Sequence, residues 1–218
     1  MVRISKDEPI DDALLLGNNL YGPSVFHHLG FIKGFERPYR SLLNRGVTFH
    51  AALGHEDQSY ALAQLKYEPF HMNGDRYYVH TLDGGLVDVF MLDSQSLHKE
   101  KKFDEEQLAW LDKALASSTA PWKVVGLYRS LDNFGQDEKP DPELSDRLLP
   151  LFDKHRVNLV AWSGGQWYAR IVYPAHTPVF INAGWSGGKK PAKLRDDPRI
   201  RARYDRKAGF VMVDFQPD

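Results

Sequence analysis

The sequence predicts a layered α/β domain, and three observations lead to that fold class. Short apolar runs alternate with amphipathic helical segments, which is the pattern of a sheet covered by helices. Residues 77–81 and 87–92 flank Asp83-Gly84-Gly85, a turn sequence that predicts a β-hairpin. Several apolar runs end at a glycine that polar residues follow. We expect a single domain over residues 1–218, because this length suits one core of ordinary size.

The strands and helices follow from local signals. Asp104 with Gln107 forms a capping-box pattern, and Leu108, Leu111 and Leu115 then recur at helical spacing. Asp141-Pro142 begins a second helix. Its apolar stripe consists of Leu144, Leu148, Leu151 and Phe152. Shorter helices are predicted over residues 38–45 and 58–65. The predicted strands are 13–16, 47–53, 77–81, 87–92, 123–127, 158–162, 168–172, 179–182 and 210–215.

The composition excludes several kinds of function. The 28 Lys and Arg balance 29 Asp and Glu, so we expect neither nucleic acid nor an anionic membrane as partner. The chain has no cysteine, which excludes disulfides, thiolate metal ligands and a cysteine nucleophile. No apolar run reaches the length of a membrane-spanning helix, and no signal peptide follows Met1. We therefore expect a soluble protein.

Four loops follow predicted strands and carry polar residues next to glycine. The carboxyl ends of neighbouring strands meet at one edge of an α/β sheet, where ligands bind, so we expect these loops to converge. The loops are Gly17-Asn18-Asn19-Leu20-Tyr21, Gly54-His55-Glu56-Asp57, Gly126-Leu127-Tyr128-Arg129 and Ser163-Gly164-Gly165-Gln166-Trp167.

The order and content of these loops resemble the calcineurin-like metallophosphoesterases, most closely the purple (tartrate-resistant) acid phosphatase branch. The family's motifs are Gly-Asp-Asn-x-Tyr, Gly-Asn-His-Asp, Gly-His-His/Tyr-Pro and Gly-His-Asp-His. The resemblance extends from about Pro9 to Phe215. It implies a four-layer α/β/β/α sandwich, here trimmed at both ends, with Val2 to Ser5 partly filling the place of the family's first strand. It also implies that the family's site holds two metal ions.

The chain departs from the family at most positions that would hold these metals. Neutral Asn18 stands in place of the bridging aspartate, His55 in place of an asparagine ligand, and Glu56 in place of the catalytic histidine. The family's further ligand histidines correspond to Leu127, Gly165 and Trp167, whereas Asn19, Tyr21 and Asp57 match the motifs. Two neighbouring cations need a bridging anion and several anionic or imidazole ligands. We therefore expect no metal and no other cofactor.

The sequence thus predicts a metal-free derivative of an acid-phosphatase-like fold, either a pseudoenzyme or an engineered scaffold with a remade pocket. In a remade pocket, Glu56 would abstract a proton from a small molecule, with Trp167 as a stacking wall. His55, Tyr128 and Gln166 would supply further acid–base or hydrogen-bonding groups. The alternative is that Leu127 and Trp167 fill the space of the metals while Glu56 points to solvent.

Two other functions stay open at this point. One is a metal-dependent phosphomonoesterase that takes its ligands from elsewhere, for example from His27, His28, His50 or His71. The other is a binding module that uses the stretch Lys189 to Lys207, in which nine Lys or Arg stand against three Asp. The alternative interpretation of this stretch is a solvated loop and short helix between two strands.

Overall fold

The computed structural model describes residues 9–21, 28–99, 102–132, 134, 135, 142–184, 193–204 and 206–217. The strands are β1 (Asp12–Leu15), β2 (Thr48–Ala51), β3 (Tyr78–Leu82), β4 (Val87–Met91), β5 (His98–Lys99), β6 (Lys102–Phe103), β7 (Trp122–Leu127), β8 (Leu159–Trp162), β9 (Tyr168–Val172), β10 (Val179–Ala183) and β11 (Ile200–Tyr204). The helices are α1 (His28–Phe31), α2 (Arg37–Leu43), α3 (Ala61–Leu65), α4 (Ser94–Leu97), α5 (Glu105–Ser117) and α6 (Pro142–Lys154). A π-helical turn (Ile32–Glu36) joins α1 to α2, and 3-10 turns span Glu56–Tyr60, Glu68–Phe70 and Asp83–Gly85.

A mixed seven-stranded sheet runs through the middle of the molecule in the order β11-β9-β10-β8-β7-β4-β3. Its four central strands β10, β8, β7 and β4 are parallel, and β3, β9 and β11 are each antiparallel to their neighbours. Strands β1 and β2 form a separate parallel pair, which we call the small sheet. A short antiparallel pair, β5 with β6, precedes α5.

The central strands β4, β7 and β8 of the large sheet contribute to two cores, because successive side chains of a strand point to opposite sides. On β7 and β8, Val125 and Val160 belong to one core, which the apolar stripes of α5 and α6 complete. Val124 and Leu159 belong to the other core, which the small sheet and the α1–α2 segment complete. The order of layers is therefore helices, small sheet, large sheet, helices, and the predicted α/β/β/α sandwich is confirmed.

The two long helices begin and pack largely as their sequences indicate. The side chain of Asp104 accepts a hydrogen bond from the backbone nitrogen of Gln107 at 3.1 Å, and the leucine stripe of α5 is buried. The side chain of Gln107 does not return to the cap, because its Oε1 accepts the backbone N–H of Asp93 at 3.1 Å instead. On α6, Leu144, Leu148 and Phe152 are buried and Leu151 is partly buried. The predicted cap Asp141 lies outside the described residues.

The carboxyl-terminal part of the described chain differs from the prediction. No strand forms between residues 206 and 217, so the predicted strand over 210–215 is wrong. Hydrogen bonds from side chains hold this segment, which has no backbone pairing with a strand. Tyr168 bonds to the backbone of Gly209, and the indole of Trp122 donates to the carbonyl oxygen of Gln216 at 2.9 Å. Strand β11 forms instead within the basic stretch and pairs with the edge strand β9. Residues 2–5 lie outside the described part.

The predicted hairpin forms as β3 and β4, with Gly84 and Gly85 at positive φ in its turn. None of the helices in the described ranges has the length and apolar character that crossing a membrane requires.

Candidate functional site

The four polar loops meet at the carboxyl ends of β1, β2, β7 and β8. A Cβ atom on Gly54 would lie 2.3 Å from the backbone nitrogen of Asn18 and 2.8 Å from the ring of Tyr128. A Cβ atom on Gly164 would lie 2.8 Å from the carbonyl oxygen of Tyr128. The hydroxyl of Ser163 donates to the carbonyl oxygen of Leu16 at 2.5 Å, which joins the fourth loop to the end of the strand before the first. The loops approach one another so closely that glycine is required at both positions.

Asn18 lies at the centre of these loops and joins three of them. Its backbone has the left-handed φ of 54°, which asparagine adopts more readily than most residues. Its Nδ2 donates to the phenol oxygen of Tyr128 at 2.9 Å, and its Oδ1 accepts the backbone N–H of Glu56 at 2.9 Å. Both ends of the amide are therefore committed to the protein.

Tyr128 is a neutral hydrogen-bonding group at physiological pH. Burial raises the pKa of its phenol to about 12, although the hydrogen bond from Asn18 acts in the opposite direction. Burial also raises the pKa of Tyr21. Neither phenol is a phenolate near neutral pH, so both can offer an O–H to a neighbour.

Asp57 fastens the first loop to the second. Its carboxylate is fully buried, and its Oδ2 accepts the backbone N–H of Gly54 at 2.8 Å. Its Oδ1 accepts the Nε2 of Gln64 at 2.7 Å and the backbone N–H of Asn19 at 3.1 Å. Burial raises the pKa of this carboxyl, and the hydrogen bonds oppose that rise. The side chain therefore organises backbone and faces no open pocket.

The structure does not assemble the arrangement expected for proton abstraction. Trp167 is fully buried and packs edge-on against Phe134, with ring centroids 6.1 Å apart, so it offers no free face to a ligand. Leu127 is fully buried in the same core. Glu56 is exposed to solvent, whereas Trp167 lies inside the core.

The remaining candidates divide between surface and interior. His55 and Tyr21 are exposed, Gln166 and Asn19 are half-buried, and Gly165 is buried. The amide of Asn19 donates to the carbonyl oxygen of Ala52 at 2.8 Å. Of the eleven candidates, the structure joins Asn18, Asn19, Asp57, Tyr128 and the backbone of Glu56 in one hydrogen-bonded unit.

The side chains of these loops do not fit a dinuclear metal centre. Asn18 and Asp57 use their polar atoms on other parts of the chain, and Leu127 has no ligand atom. Over the described ranges, no group of three or more His, Asp or Glu side chains is arranged to hold a metal ion. Among the alternative ligands, His50 and His71 lie near each other away from these loops, while His27 and the side chain of His28 lie outside the described residues.

Sequence reasoning missed a buried polar network beneath the loops. Asp93 is fully buried, and the guanidinium of Arg76 lies 2.6 Å from its Oδ2. Gln58 contacts both Asp93 and the carbonyl oxygen of Gly54, which connects the network to the second loop. The hydroxyl of Ser94 accepts the backbone N–H of Tyr128 at 3.2 Å. The available signal was the pair Asp93-Ser94 directly after an apolar strand, but without the glycine that marked the four loops.

Two arginines in the described part of the basic stretch form ion pairs with aspartates. Arg199 bonds to Asp197 at 2.7 Å and also to Asp132, and Arg203 lies 3.0 Å from Asp196. An open cleft of about 520 Å³ beside β11 is lined by Asp196, Asp197, Pro198, Ile200, Arg201, Ala202 and Arg203. Residues 189–192 and 205 lie outside the described part.

Comparison with solved structures places the fold among the metallophosphoesterases. The chain is similar to a purple acid phosphatase from yellow lupin (Lupinus luteus) seeds, with a TM-score of 0.62 and 14% identity over 90% of this chain and 40% of that chain. A dimetal phosphatase from Danio rerio gives a TM-score of 0.60 and 13% identity over 79% of this chain and 71% of that chain. GAP50, described as the anchor in the inner membrane complex of Plasmodium, gives a TM-score of 0.58 and 15% identity over 90% of this chain and 78% of that chain.

These similarities confirm the fold that the loop motifs imply, the calcineurin-like metallophosphoesterase sandwich. The chain spans less than half the length of the lupin phosphatase. No protein-family model matches the sequence, and no curated protein does.

Proposed function

We propose that the chain is a metal-free, non-catalytic derivative of the metallophosphoesterase fold, in which the strand-end loops serve as a closed structural unit. The observation that carries this proposal is the position of Asn18. The resemblance implies a bridging carboxylate there. The amide of Asn18 instead donates a hydrogen bond to Tyr128 and accepts one from the backbone N–H of Glu56. A neutral amide is a poor bridge between two cations, and this one is already bonded on both sides.

The surroundings of Asn18 support the same proposal. Leu127 and Trp167 stand at two positions that the resemblance assigns to histidine ligands, and both are fully buried apolar groups. Asp57 uses both carboxylate oxygens to hold the backbone of the first two loops. These side chains stabilise the loops against one another.

One structural neighbour supports a role in binding. GAP50 shares this fold and is described as an anchor, so the fold is also used outside the phosphatases. Because fold alone does not determine function, this support is an analogy and the site carries the argument.

A remade pocket for a small molecule is the second form of the proposal. His55 and Glu56 are exposed on the second loop, and the backbone of Glu56 connects through Asn18 to the phenol of Tyr128. An exposed carboxylate beside an imidazole and a neutral phenol can bind a polar ligand from solvent. In this form the ligand lies on the rim of the loops, because Trp167 closes the interior.

The test measures metal dependence directly. Purified protein is analysed for iron, zinc and manganese, and hydrolysis of p-nitrophenyl phosphate is followed with each metal added and with a chelator. We expect no metal-dependent hydrolysis and the same melting temperature with and without the chelator. Near-stoichiometric metal together with hydrolysis that is lost in Tyr21→Phe or His55→Ala, but kept in the control Tyr204→Phe on β11, would establish the phosphomonoesterase alternative instead.

A further inference from the structure

Three histidines meet between the small sheet and the edge of the large sheet, and His50, on the strand that precedes the second loop, is one of them. His50 lies on β2, His80 lies on β3, and His71 follows the 3-10 turn Glu68–Phe70. The ring centroids of His50 and His80 are 4.6 Å apart, those of His50 and His71 are 5.7 Å apart, and those of His71 and His80 are 6.4 Å apart. We call these three residues the histidine cluster.

The hydrogen bonds of His71 and His80 suit neutral rings, whereas His50 lies beside a carboxylate. Nδ1 of His71 lies 2.9 Å from the carbonyl oxygen of Phe49, and Nε2 of His80 lies 2.7 Å from the carbonyl oxygen of His71. A carbonyl oxygen can only accept, so each of these nitrogens carries a hydrogen and satisfies the one N–H of a neutral imidazole. Nε2 of His50 lies 2.7 Å from Asp12 Oδ1. Nδ1 of His50 is buried without a partner in the described part of the chain.

A proton added to His80 meets unfavourable surroundings. His80 faces Asp12 from β1, His50 from β2, His71 from the preceding loop and Tyr78 from its own strand, while its partner on β4 is the apolar Val89. Burial lowers the pKa of His80, and positive charge on His50 or His71 lowers it further, whereas Asp12 and the carbonyl oxygen of His71 oppose this. Charged imidazoles at these separations repel each other more strongly than in water.

We propose that the histidine cluster is an acid-sensitive latch, which holds the small sheet against the large sheet while its rings are neutral and loosens this contact when the cluster gains protons. The small sheet carries the loops of Asn18 and Asp57, and the large sheet carries the loop of Tyr128. Loosening the latch would therefore separate the loops that the hydrogen bonds of Asn18 now join.

The sign of the effect follows from linkage. Because the pKa of His80 is lower in the folded protein than in the unfolded chain, the unfolded chain binds more protons between these two values. Stability is therefore complete above the unfolded value of about 6.5 and is lost as the pH falls below it. Each unit of difference in pKa changes the folding equilibrium constant about tenfold across that window.

The experiment compares urea denaturation of the wild type and His80→Gln between pH 8 and pH 5. Glutamine keeps an N–H donor near the place of Nε2 but does not titrate. We expect the denaturation midpoint of the wild type to fall with pH and that of His80→Gln to fall less. The control His176→Gln should not reduce the fall, since Nδ1 of His176 lies 2.6 Å from Asp153, a pair that stabilises the protein in acid.

A second variant guards against a folding defect in His80→Gln. His71 has a left-handed φ of 50°, which asparagine tolerates, and the amide of His71→Asn can still donate to Phe49. His71→Asn removes a group whose positive charge lowers the pKa of His80. Its denaturation midpoint should therefore fall less between pH 8 and pH 5 than that of the wild type. Amide hydrogen exchange at pH 5, corrected for intrinsic rates, should show faster opening of β1 and β2 than of β7 and β8.

Three results would overturn the latch. One is an equal fall of the midpoint in the wild type and in both variants. Another is an NMR titration in which His80 titrates at or above the unfolded value of about 6.5. The third is stabilisation by Zn²⁺ that disappears in His80→Gln, because the cluster would then be a metal site.

Discussion

The amide nitrogen of Asn18 lies 2.9 Å from the phenol oxygen of Tyr128, and this hydrogen bond joins two residues that are 110 positions apart in the chain. It connects the loop after the small sheet with a loop after the large sheet. The two sheets therefore share a polar contact at their carboxyl ends, in addition to the apolar core between them.

The first prediction measures this contact with a double-mutant cycle of Asn18→Gly and Tyr128→Phe. Glycine keeps the left-handed backbone at position 18, and phenylalanine keeps the ring. We expect a coupling free energy of about 1 kcal/mol, because the bond is neutral and partly buried. Urea denaturation of the two single variants and the double variant supplies the measurement. Free energies that simply add would show that the bond contributes nothing to stability.

The second prediction concerns the buried carboxylate of Asp57. In Asp57→Asn, an NH₂ group replaces one oxygen and faces backbone N–H groups that need an acceptor. We expect a loss of about 1–3 kcal/mol in the free energy of unfolding. The control Asp75→Asn removes an exposed carboxylate and should stay within about 0.5 kcal/mol of the wild type. A similar loss in both variants would contradict the clamping role of Asp57.

The third prediction concerns the free energy of unfolding at alkaline pH and its dependence on Tyr128. Tyr128 has a pKa of about 12 in the folded protein, whereas a free tyrosine titrates near 10. The folded protein therefore holds this proton more tightly, and stability falls as the pH rises from about 10 to 12. We expect the free energy of unfolding of Tyr128→Phe to fall less over that range than that of the wild type, by about 2 kcal/mol. Parallel curves for the two proteins would refute the assignment.

The fourth prediction tests the filled interior. Leu127→His restores the residue type that the family resemblance implies, but it places an imidazole in a fully buried apolar core. We expect a loss of about 2–5 kcal/mol and no gain of metal binding. The control Leu62→His changes a leucine that is 74% exposed and should be nearly neutral. Denaturation midpoints and zinc binding by calorimetry decide the outcome, and a stable Leu127→His variant that binds zinc would contradict the proposal.

The fifth prediction separates the two forms of the proposed function. Glu56 uses its backbone N–H to hold Asn18, and its side chain is exposed. Glu56→Gln should therefore keep wild-type stability within about 0.5 kcal/mol. If a small molecule that binds at the rim is found by NMR screening, its affinity should fall in Glu56→Gln and stay unchanged in the surface control Glu143→Gln. An unchanged affinity would remove Glu56 from the rim pocket.

The sequence predicted those features that depend on local pattern. The hairpin around Gly84 and the cap of Asp104 need only a few neighbouring residues, and both are present. The convergence of the four loops was also predicted from local pattern. Glycine after an apolar strand marks the carboxyl end of that strand, and such ends meet at one edge of the sheet. Strand β11 was missed because it alternates weakly and its pairing depends on the open edge of β9, which no local pattern reveals.

Polar contacts between distant elements were the other class of feature that could not be predicted. Arg76 and Asp93 pair across 17 positions, and the histidine cluster draws on three separate segments. The burial of Trp167 likewise depends on the packing of the large sheet against α6. Chemical type indicated what these side chains can do, whereas the tertiary structure determines which atoms they reach.

Asn19 and Asp57 keep the architecture of the loops whether or not any reaction takes place at the strand ends. Both residues match the family motif, and both spend their polar atoms on the chain's own backbone and on Gln64. A mutation there would undo the loops and be removed by selection for folding. Asn18, Leu127 and Trp167 stand at positions that the resemblance assigns to residues of the metal site, and there the chain departs from the motifs. At Asn19 and Asp57, agreement with the motif is explained by folding alone and therefore says nothing about activity.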